Sequence, residues 1–308
     1  MNNIDKDILK AVQVLKSHGV VGIPTETVYG LAASIHSEQG IDAIFSTKER
    51  PFFDPLIVHV SHLDQAKECA KKWTGDCELL ANEFWPGPLT LILPKSSHIS
   101  DKITSGLDTV GIRMPQHDIT LKLIQQLGVP VAAPSANKFK KTSPTSYQHV
   151  KDSFKDLLVL DGGICEVGIE STILGFDKNA KPVIYRPGMI SKDQIEKCLK
   201  IDVKIQESPV APGHLKHHYM PETVIIASLT DIALKEQNLD EELLKNPVIW
   251  KLPDSPVECA RVLYSKFRDL DQKKSSAIII KFTSEQLKNI EFEAIFNRLF
   301  KAATFKFI

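Results

Sequence analysis

Short apolar runs, each closed by proline, glycine or a polar cluster, recur along the chain and limit what it can fold into. VVGIP (20–24), PLIVHV (55–60), LTLILP (89–94), TVGIRM (109–114), VPVAAP (129–134), LLVLD (157–161), ESTILGF (170–176) and PVIYRP (182–187) read as buried strands by length and composition. Helical periodicity lies among them. Ile8, Leu9, Val12 and Leu15 define a helix over 5–17 that Gly19 stops, and Ile41, Ile44 and Phe45 define one over 39–47 that Pro51 breaks. Two helical stretches fall between Val60 and Trp85, and others at 117–127 and 192–199. The two kinds of element are mixed instead of strictly alternating. The fold class is therefore α/β, with an N-terminal twisted mixed sheet and helices packed on it.

From Glu207 the pattern changes. ESPVAPGHLKHHYMP holds Pro209, Pro212 and Pro221 with three histidines and no apolar period, and reads as an ordered linker or lid. Beyond it, TVIIASL, PVIWKL and AIIIKF alternate with helical stretches at 231–244, 256–270 and 291–303, the signature of a small parallel-sheet, Rossmann-like domain. The domain organisation is 1–206, a linker or lid at 207–221, and 222–308.

With 308 residues, 43% hydrophobic and 25% charged, both domains can bury a core. Lys plus Arg equals Asp plus Glu at 38 each, so the chain lacks the bulk positive field on which non-specific nucleic-acid binding relies. The 5 cysteines are scattered without a C-x-x-C pair, which fits a reducing compartment. The N-terminus is polar, and no apolar run reaches the roughly 20 residues that cross a bilayer. A cytoplasmic protein is the expectation. There is no G-x-x-x-x-G-K-[ST] loop, G-x-G-x-x-G, G-x-S-x-G or H-E-x-x-H. Any nucleotide must sit in a different cradle.

Three segments concentrate functional groups. Pro24-Thr25-Glu26-Thr27-Val28-Tyr29-Gly30 leaves a buried strand with two hydroxyls, a carboxylate and a phenol, although such hydroxyls also serve as caps. Lys48-Glu49-Arg50-Pro51 places two cations at a helix end. A solvated helix end is the ordinary reading, and a clamp for phosphate or carboxylate the functional one. Ala133-Pro134-Ser135-Ala136-Asn137, running on to Ser143-Pro144-Thr145, is either a turn-rich loop or a close approach of backbone, Ser and Asn to phosphate oxygens. Arg113 and Arg186 stand on otherwise apolar strands. A buried arginine needs an anionic partner, and an anionic ligand is one such partner.

The ordered set PTETVYGL, K-x-R-P, PLIVHV, WPGPLTLIL, GIRMP, APSAN, ESTI and YRPG resembles the YrdC-type threonylcarbamoyl-AMP synthases, and the linker SPVAPGHLKHHYMP resembles that of the long two-domain form. The resemblance implies ATP-dependent condensation of L-threonine and bicarbonate to threonylcarbamoyl-AMP with release of pyrophosphate, a nucleotidyltransferase reaction. It implies Mg²⁺ accompanying ATP and hand-over of the product to a tRNA threonylcarbamoyl transferase. No tightly bound protein metal, membrane association or strong direct nucleic-acid binding is expected. It places Thr27, Lys48, His59, Arg113, Ala133 and Ser171 around threonine and its carbamate, with Lys48 and Arg50 as the catalytic cations. Arg50, Asp54, Thr109, Ser135, Asn137, Ser143, Arg186 and Tyr219 would hold ATP.

Two positions depart from the family pattern. Asp54 stands where Asn is common, and Phe139-Lys140 where Ser-Gly is common. Competing readings are an RNA-gripping module rimmed by Lys138, Lys140 and Lys141, carbamoyl transfer from carbamoyl phosphate, and a metal held by His214, His217 and His218. His59 is the one candidate general base, although a histidine on a strand is more commonly a packed core residue. Removing Lys48 or Arg50 is expected to lower adenylate formation at least about a hundredfold with little change in thermal stability.

Overall fold

A computed structural model describes residues 3–206, 212, 218–234 and 237–308. The chain forms two compact units, one of residues 1–139 and 144–214, the other of residues 140–143 and 215–308.

The first unit is built on strands β1 (Val21–Ile23), β2 (Gly30–Ser34), β3 (Ile57–His59), β4 (Leu89–Pro94), β5 (Thr109–Arg113), β6 (Val131–Ala132), β7 (Thr172–Phe176), β8 (Pro182–Arg186) and β9 (Lys204–Ile205). They join in the order β1-β2-β6-β3-β5-β4-β7-β8-β9. β3/β5, β4/β7 and β8/β9 are parallel and the other pairs antiparallel, the mixed sheet that the interleaved pattern implies.

Because side chains alternate along a strand, each face has its own core. Val58, Leu91, Ile112 and Leu174 point to one face, among Ile41, Ile44 and Phe45 of the helix Glu38–Lys48, Leu80 of Gly75–Phe84 and Ile195 of Lys192–Leu199. On the opposite face Val21, Ile23, Ala32 and Val131 pack with Ile8, Val12, Leu123 and Ile124 of the helices Asn3–Lys16 and Asp118–Leu127. Further along that face Ile57, Ile92 and Ile173 make a separate small cluster with Tyr185. The register pairs Ile57 with Gly111 and His59 with Arg113, so by alternation Thr109, Gly111, Arg113 and His59 share the face of this cluster.

The second unit carries β10 (Ile225–Leu229), β11 (Val248–Lys251), β12 (Ile278–Phe282) and β13 (Phe305–Phe307) in the order β11-β12-β10-β13, all parallel. The helices Pro256–Asp271 and Glu293–Ala302 each bury one apolar stripe.

Three readings of the sequence need correction. LLVLD is not a ladder strand. It touches the sheet through a bridge at Gly22–Val159 and through Gly22 N–H to Leu158 O and Leu160 N–H to Gly22 O, an excursion too brief to propagate. The helix read over 231–244 is not α-helical among the described residues, which show 3₁₀ geometry at Leu234 and over Glu241–Leu244. Lys281 Nζ donates to Leu229 O (3.0 Å) and Ile232 O (2.9 Å), so a long-range amine occupies a carbonyl that an α-helix would have used itself. Residues 140–143, read as part of the first domain, group with the second unit, through bonds to residues far along the chain.

The YRPG turn sets the entry to β7. A Cβ on Gly188 would lie 2.3 Å from Thr172 N and 2.7 Å from Ser171 C, both backbone atoms, whereas one on Gly75 meets nothing within 4 Å. Gly188→Ala should therefore lower stability by about 1–3 kcal/mol through overpacking. Gly75→Ala, at the start of a helix, should be neutral or stabilising by up to about 1 kcal/mol. Urea unfolding of the two variants checks this, and equal midpoints would show that the Gly188 contact relaxes without cost.

Candidate active site

The helix Glu38–Lys48 delivers the first cations. Ser37 caps it by accepting from Gly40 N–H, and at its far end Glu49 takes a left-handed conformation (φ 56°). Glu49 N–H then returns to Ser46 O (3.2 Å) and Arg50 N–H to Phe45 O (2.9 Å), the bond pattern of a Schellman stop. This stop fixes the directions in which Lys48 and Arg50 leave the helix. The Lys48 side chain is 1% exposed, and its Nζ donates to Asn137 O (2.6 Å) and to Ser135 O. Phe139 N–H donates to Lys48 O (2.9 Å), so the loop after β6 wraps the lysine. Burial, reinforced by the neighbouring Arg50 charge and opposed by Asp54, holds the Lys48 ammonium well below the ordinary lysine range.

Arg50 is buried as well. It donates through Nε to Asp54 O (3.2 Å) and through Nη2 to Pro55 O (2.9 Å), and forms an ion pair with the Asp54 carboxylate (2.9 Å), whose side chain is 1% exposed. An acid at position 54 is therefore accommodated as the partner of Arg50. The expectation that Arg50 can be removed with little structural cost does not survive this geometry, because its loss strands a buried carboxylate. Arg50→Ala should cost about 3–5 kcal/mol of stability. Adding Asp54→Asn to it should recover a good part of that loss in a thermal or urea melt. A double variant no more stable than Arg50→Ala would show that the pair contributes little.

A second group of residues gathers on the face of the Ile57 cluster. His59 and Arg113 are direct neighbours across β3 and β5. Arg113 donates through Nε to Gly87 O (3.2 Å) and through Nη1 to Thr27 Oγ1 (2.9 Å), and pairs through Nη2 with the Glu26 carboxylate (2.6 Å). Thr27 Oγ1 also lies 2.9 Å from Thr25 Oγ1. Glu26 is thus the internal partner of Arg113, a role the sequence reading did not assign. The carboxylate within PTETVYG was visible, but only the fold brings it to a strand more than eighty residues away. Ala133 extends from β6 with its N–H on Ile57 O (2.9 Å). Ser171 Oγ lies 2.7 Å from Thr90 Oγ1, and Arg186 donates to Ser171 O (3.1 Å) and Ser171 Oγ (3.2 Å).

The fold thus links Lys48 with Ser135 and Asn137, Arg50 with Asp54, His59 and Arg113 with Thr27, and Ser171 with Arg186. Thr109 stands at the opposite end of β5, paired with Pro94, beside a cavity of about 330 Å³ that Ile92, Phe176 and Tyr185 also line. Ser143 is fully buried and belongs to the second unit. Tyr219, also of that unit, is 1% exposed, with its ring 5.6 Å from that of Tyr264 and 5.8 Å from the Arg298 guanidinium. Of the linker read over 207–221, residues 207–211 and 213–217, with His214 and His217, lie outside the described residues. Pro212 is described, and its carbonyl accepts from Arg186 Nη1 (3.3 Å). Lys140, at the position where glycine is common, has φ 64°, so the loop keeps a left-handed turn despite the side chain.

His59 is 4% exposed with Nδ1 3.2 Å from Ile57 O, which requires the proton on Nδ1. Burial, then the Arg113 charge, pushes its pKa down to about 3. A base so weak does not take a proton from an ammonium at neutral pH. The folded pKa lies below the ordinary 6.5, so the unfolded chain binds the extra proton and stability falls as pH drops from about 6.5 toward 3. Between pH 7.5 and 5 this residue alone should cost about 2 kcal/mol. Relative to wild type, His59→Gln should gain that amount over the same interval in denaturant melts. A constant difference would mean that His59 titrates in the folded protein with its ordinary pKa.

The first unit is thus a mixed α/β sheet with four buried cations beside hydroxyls, carboxylates and backbone carbonyls. A family model described as telomere recombination, spanning the Sua5, YciO and YrdC proteins, matches residues 13–188. The model of the threonylcarbamoyl-AMP synthase C-terminal domain matches residues 190–304. The chain is similar to the threonylcarbamoyl-AMP synthase of Pyrococcus abyssi, at 37% identity over 97% of this chain and 94% of that one. Its similarity to that of Bacillus subtilis is 40% over 70% and 65% respectively. Its fold is similar to that of P. abyssi Sua5 complexed with L-threonine, with a TM-score of 0.86, 34% identity and coverage of 100% and 97%. The chain belongs to the two-domain threonylcarbamoyl-AMP synthase family.

Proposed function

We propose that the protein condenses L-threonine, bicarbonate and ATP into threonylcarbamoyl-AMP, releasing pyrophosphate, and supplies the donor for N6-threonylcarbamoyladenosine in tRNA. The observation that carries this reading is the joining of Lys48, Ser135 and Asn137 in one hydrogen-bonded set, within a family whose relatives carry that activity in their names.

The reaction begins when the free amine of threonine adds to bicarbonate-derived carbon dioxide, giving a carbamate and a proton. A carbamate oxygen then attacks the α-phosphorus of ATP, and the bond to the bridging oxygen of pyrophosphate breaks. The threonine carboxylate, the carbamate and the triphosphate are all anionic, so the chain's task is to hold negative groups together. Arg113, steadied by Glu26, Thr27 and Gly87 O, presents a guanidinium of fixed orientation for the threonine carboxylate. Thr27 and Ser171 offer hydroxyls, and neutral His59 offers the ring nitrogen not bonded to Ile57 O. Lys48 and Arg50 face the carbamate and phosphates, with Ser135, Asn137, Ser143 and Arg186 along the nucleotide. Thr109 and Tyr219 complete the nucleotide set as the family resemblance implies it. Mg²⁺ enters as part of the ATP complex and offsets triphosphate charge. The product then passes to a tRNA threonylcarbamoyl transferase.

Lys48 is costly to keep charged where it is, and a bound anion restores its full charge. Substrate binding should therefore raise the Lys48 pKa. Among the described residues no helix is long and apolar enough to cross a membrane.

The test is incubation with labelled bicarbonate, ATP and single amino acids, followed by mass analysis of the adenylate. Threonine should give the labelled adduct, and Lys48→Met should reduce it at least about a hundredfold. Valine should be rejected far more strongly than serine, because a pocket that hydrogen-bonds the hydroxyl leaves polar groups unpaired around valine. Comparable turnover of valine and threonine would mean that the pocket reads shape alone. Absence of any labelled adenylate would remove the proposed activity.

A further inference from the structure

The turn at residues 24–30 is locked along its backbone. Thr25 Oγ1 accepts from Thr27 N–H and Val28 N–H (3.2 Å each) and donates to Val28 O (2.6 Å). Val167 N–H donates to Glu26 O (2.7 Å). Val167 stands in the loop 162–168, where Gly163 and Gly168 take φ of 76° and 82°. The Tyr29 phenol closes the start of that loop, donating to Gly163 O (2.8 Å) and accepting from Gly162 N–H (3.0 Å). The backbone at Glu26 is therefore held both from within its own turn and from a loop far along the chain. All of these residues belong to the first unit.

The Glu26 side chain is 2% exposed, yet neither of its carboxylate oxygens has a hydrogen-bond partner among the described residues. Its one ion pair is with Arg113 Nη2, at 2.6 Å. A buried carboxylate is costly unless a cation answers it, and here a single group does so. Arg113 in turn is held at three points, with Nε on Gly87 O (3.2 Å), Nη1 on Thr27 Oγ1 (2.9 Å) and Nη2 against Glu26. A guanidinium carries five N–H groups in one rigid plane. Anchors on all three nitrogens fix that plane. Each terminal nitrogen still has a second N–H, a donor pair of the kind that a carboxylate takes bidentately. The Cys165 thiol is pushed up to about 12, mainly by burial and further by Glu26, so it brings no second negative charge to the pair at neutral pH.

We propose that Glu26 is a positioning residue for the amino-acid substrate: it orients the Arg113 guanidinium, so that recognition of the α-carboxylate depends on direction as well as on charge. The proposal rests on the assignment of Arg113 to the threonine carboxylate. Glu26 touches no substrate and acts through Arg113. Its loss leaves the arginine its charge but frees its plane to turn, and threonine should bind less well for that reason. A mere counter-ion would behave in the opposite way, because removing it would leave a bare cation that takes a carboxylate more tightly.

The experiment uses the full-length chain with Glu26→Gln, Glu26→Asp, Arg113→Lys, and Glu26→Gln combined with Arg113→Lys. Glu26→Gln should raise KM for threonine roughly tenfold, as for a misdirected anchoring group. It should leave KM for ATP within about twofold. Glu26→Asp keeps a carboxylate on a shorter stem and should give a smaller rise. In the Arg113→Lys background, Glu26→Gln should add little, because an ammonium has no plane to orient. An unchanged or lower KM for threonine in Glu26→Gln would overturn the proposal and leave Glu26 a counter-ion. So would effects that simply multiply in the double variant, since Glu26 would then act elsewhere. Equal rises in both KM values with a lower melting temperature, the mark of general loosening, would overturn it too. If Glu26→Gln does not fold, Glu26→Asp decides by the same threonine-against-ATP split. Equilibrium dialysis with labelled threonine separates this idea from the proposed activity. Wild-type chain that binds threonine but forms no adenylate counts against the activity. Variants that bind threonine as tightly as wild type count against the positioning role. Wild-type chain that binds no threonine removes the assignment of Arg113, and the proposal with it.

Discussion

Four buried cations, Lys48, Arg50, Arg113 and Arg186, set the terms for the rest of the first unit. Removing an ion from water costs several kcal/mol unless the surroundings answer it. Here the answers differ. Arg50 and Arg113 have carboxylates, Asp54 and Glu26, at 2.9 and 2.6 Å. Lys48 has carbonyls and a depressed pKa. Arg186 donates to Ser171 and to the carbonyl of Pro212. The mixed sheet makes this possible. The sheet holds His59 and Arg113 on adjacent strands, on the face opposite the one that carries the aliphatic cluster of Val58, Ile112 and the helix Glu38–Lys48. The result is a set of positive charges held in fixed positions by internal partners.

The pairing also divides the cations by role. An arginine neutralised by an adjacent carboxylate is oriented more than it is charged. A lysine held only by carbonyl dipoles retains a strong tendency to bind an anion or lose its proton. Burial holds the Lys48 ammonium well below the ordinary lysine range, and burial beside Arg113 likewise disfavours a charge on His59. The second unit solves a different problem. Its all-parallel sheet buries aliphatic and aromatic side chains, and on its helix Pro256–Asp271 Tyr264 stacks on Tyr219 while Arg268 donates to the carbonyl of Thr142.

Much of the architecture was legible because local patterns and tertiary demands agree. The apolar runs at 89–94 and 109–114, the stripe of Ile8, Val12 and Leu15, and the capped helix at 192–199 carry their structure in their own periodicity. Where they failed, a distant group had intervened. Lys281 reaches the carbonyls of Leu229 and Ile232 at the start of that stretch, and 231–244 is not α-helical among its described residues. LLVLD meets Gly22 alone and stops. Motif chemistry was legible in the same partial way. The order of PTETVYG, K-x-R-P, APSAN and YRPG identified which residue types would converge, whereas the internal partners of the arginines were not visible. A carboxylate four residues from Arg50 and another far from Arg113 look alike as letters.

The sequence by itself determined the two-part α/β plan and the family, because these follow from periodicity, turn residues and the order of the motifs. Only the tertiary structure decided which charges neutralise one another and which unit owns the loop at 140–143. Those facts depend on distances of a few ångströms between residues such as Thr142 and Arg268, 126 positions apart, and no local pattern encodes a contact made at that separation.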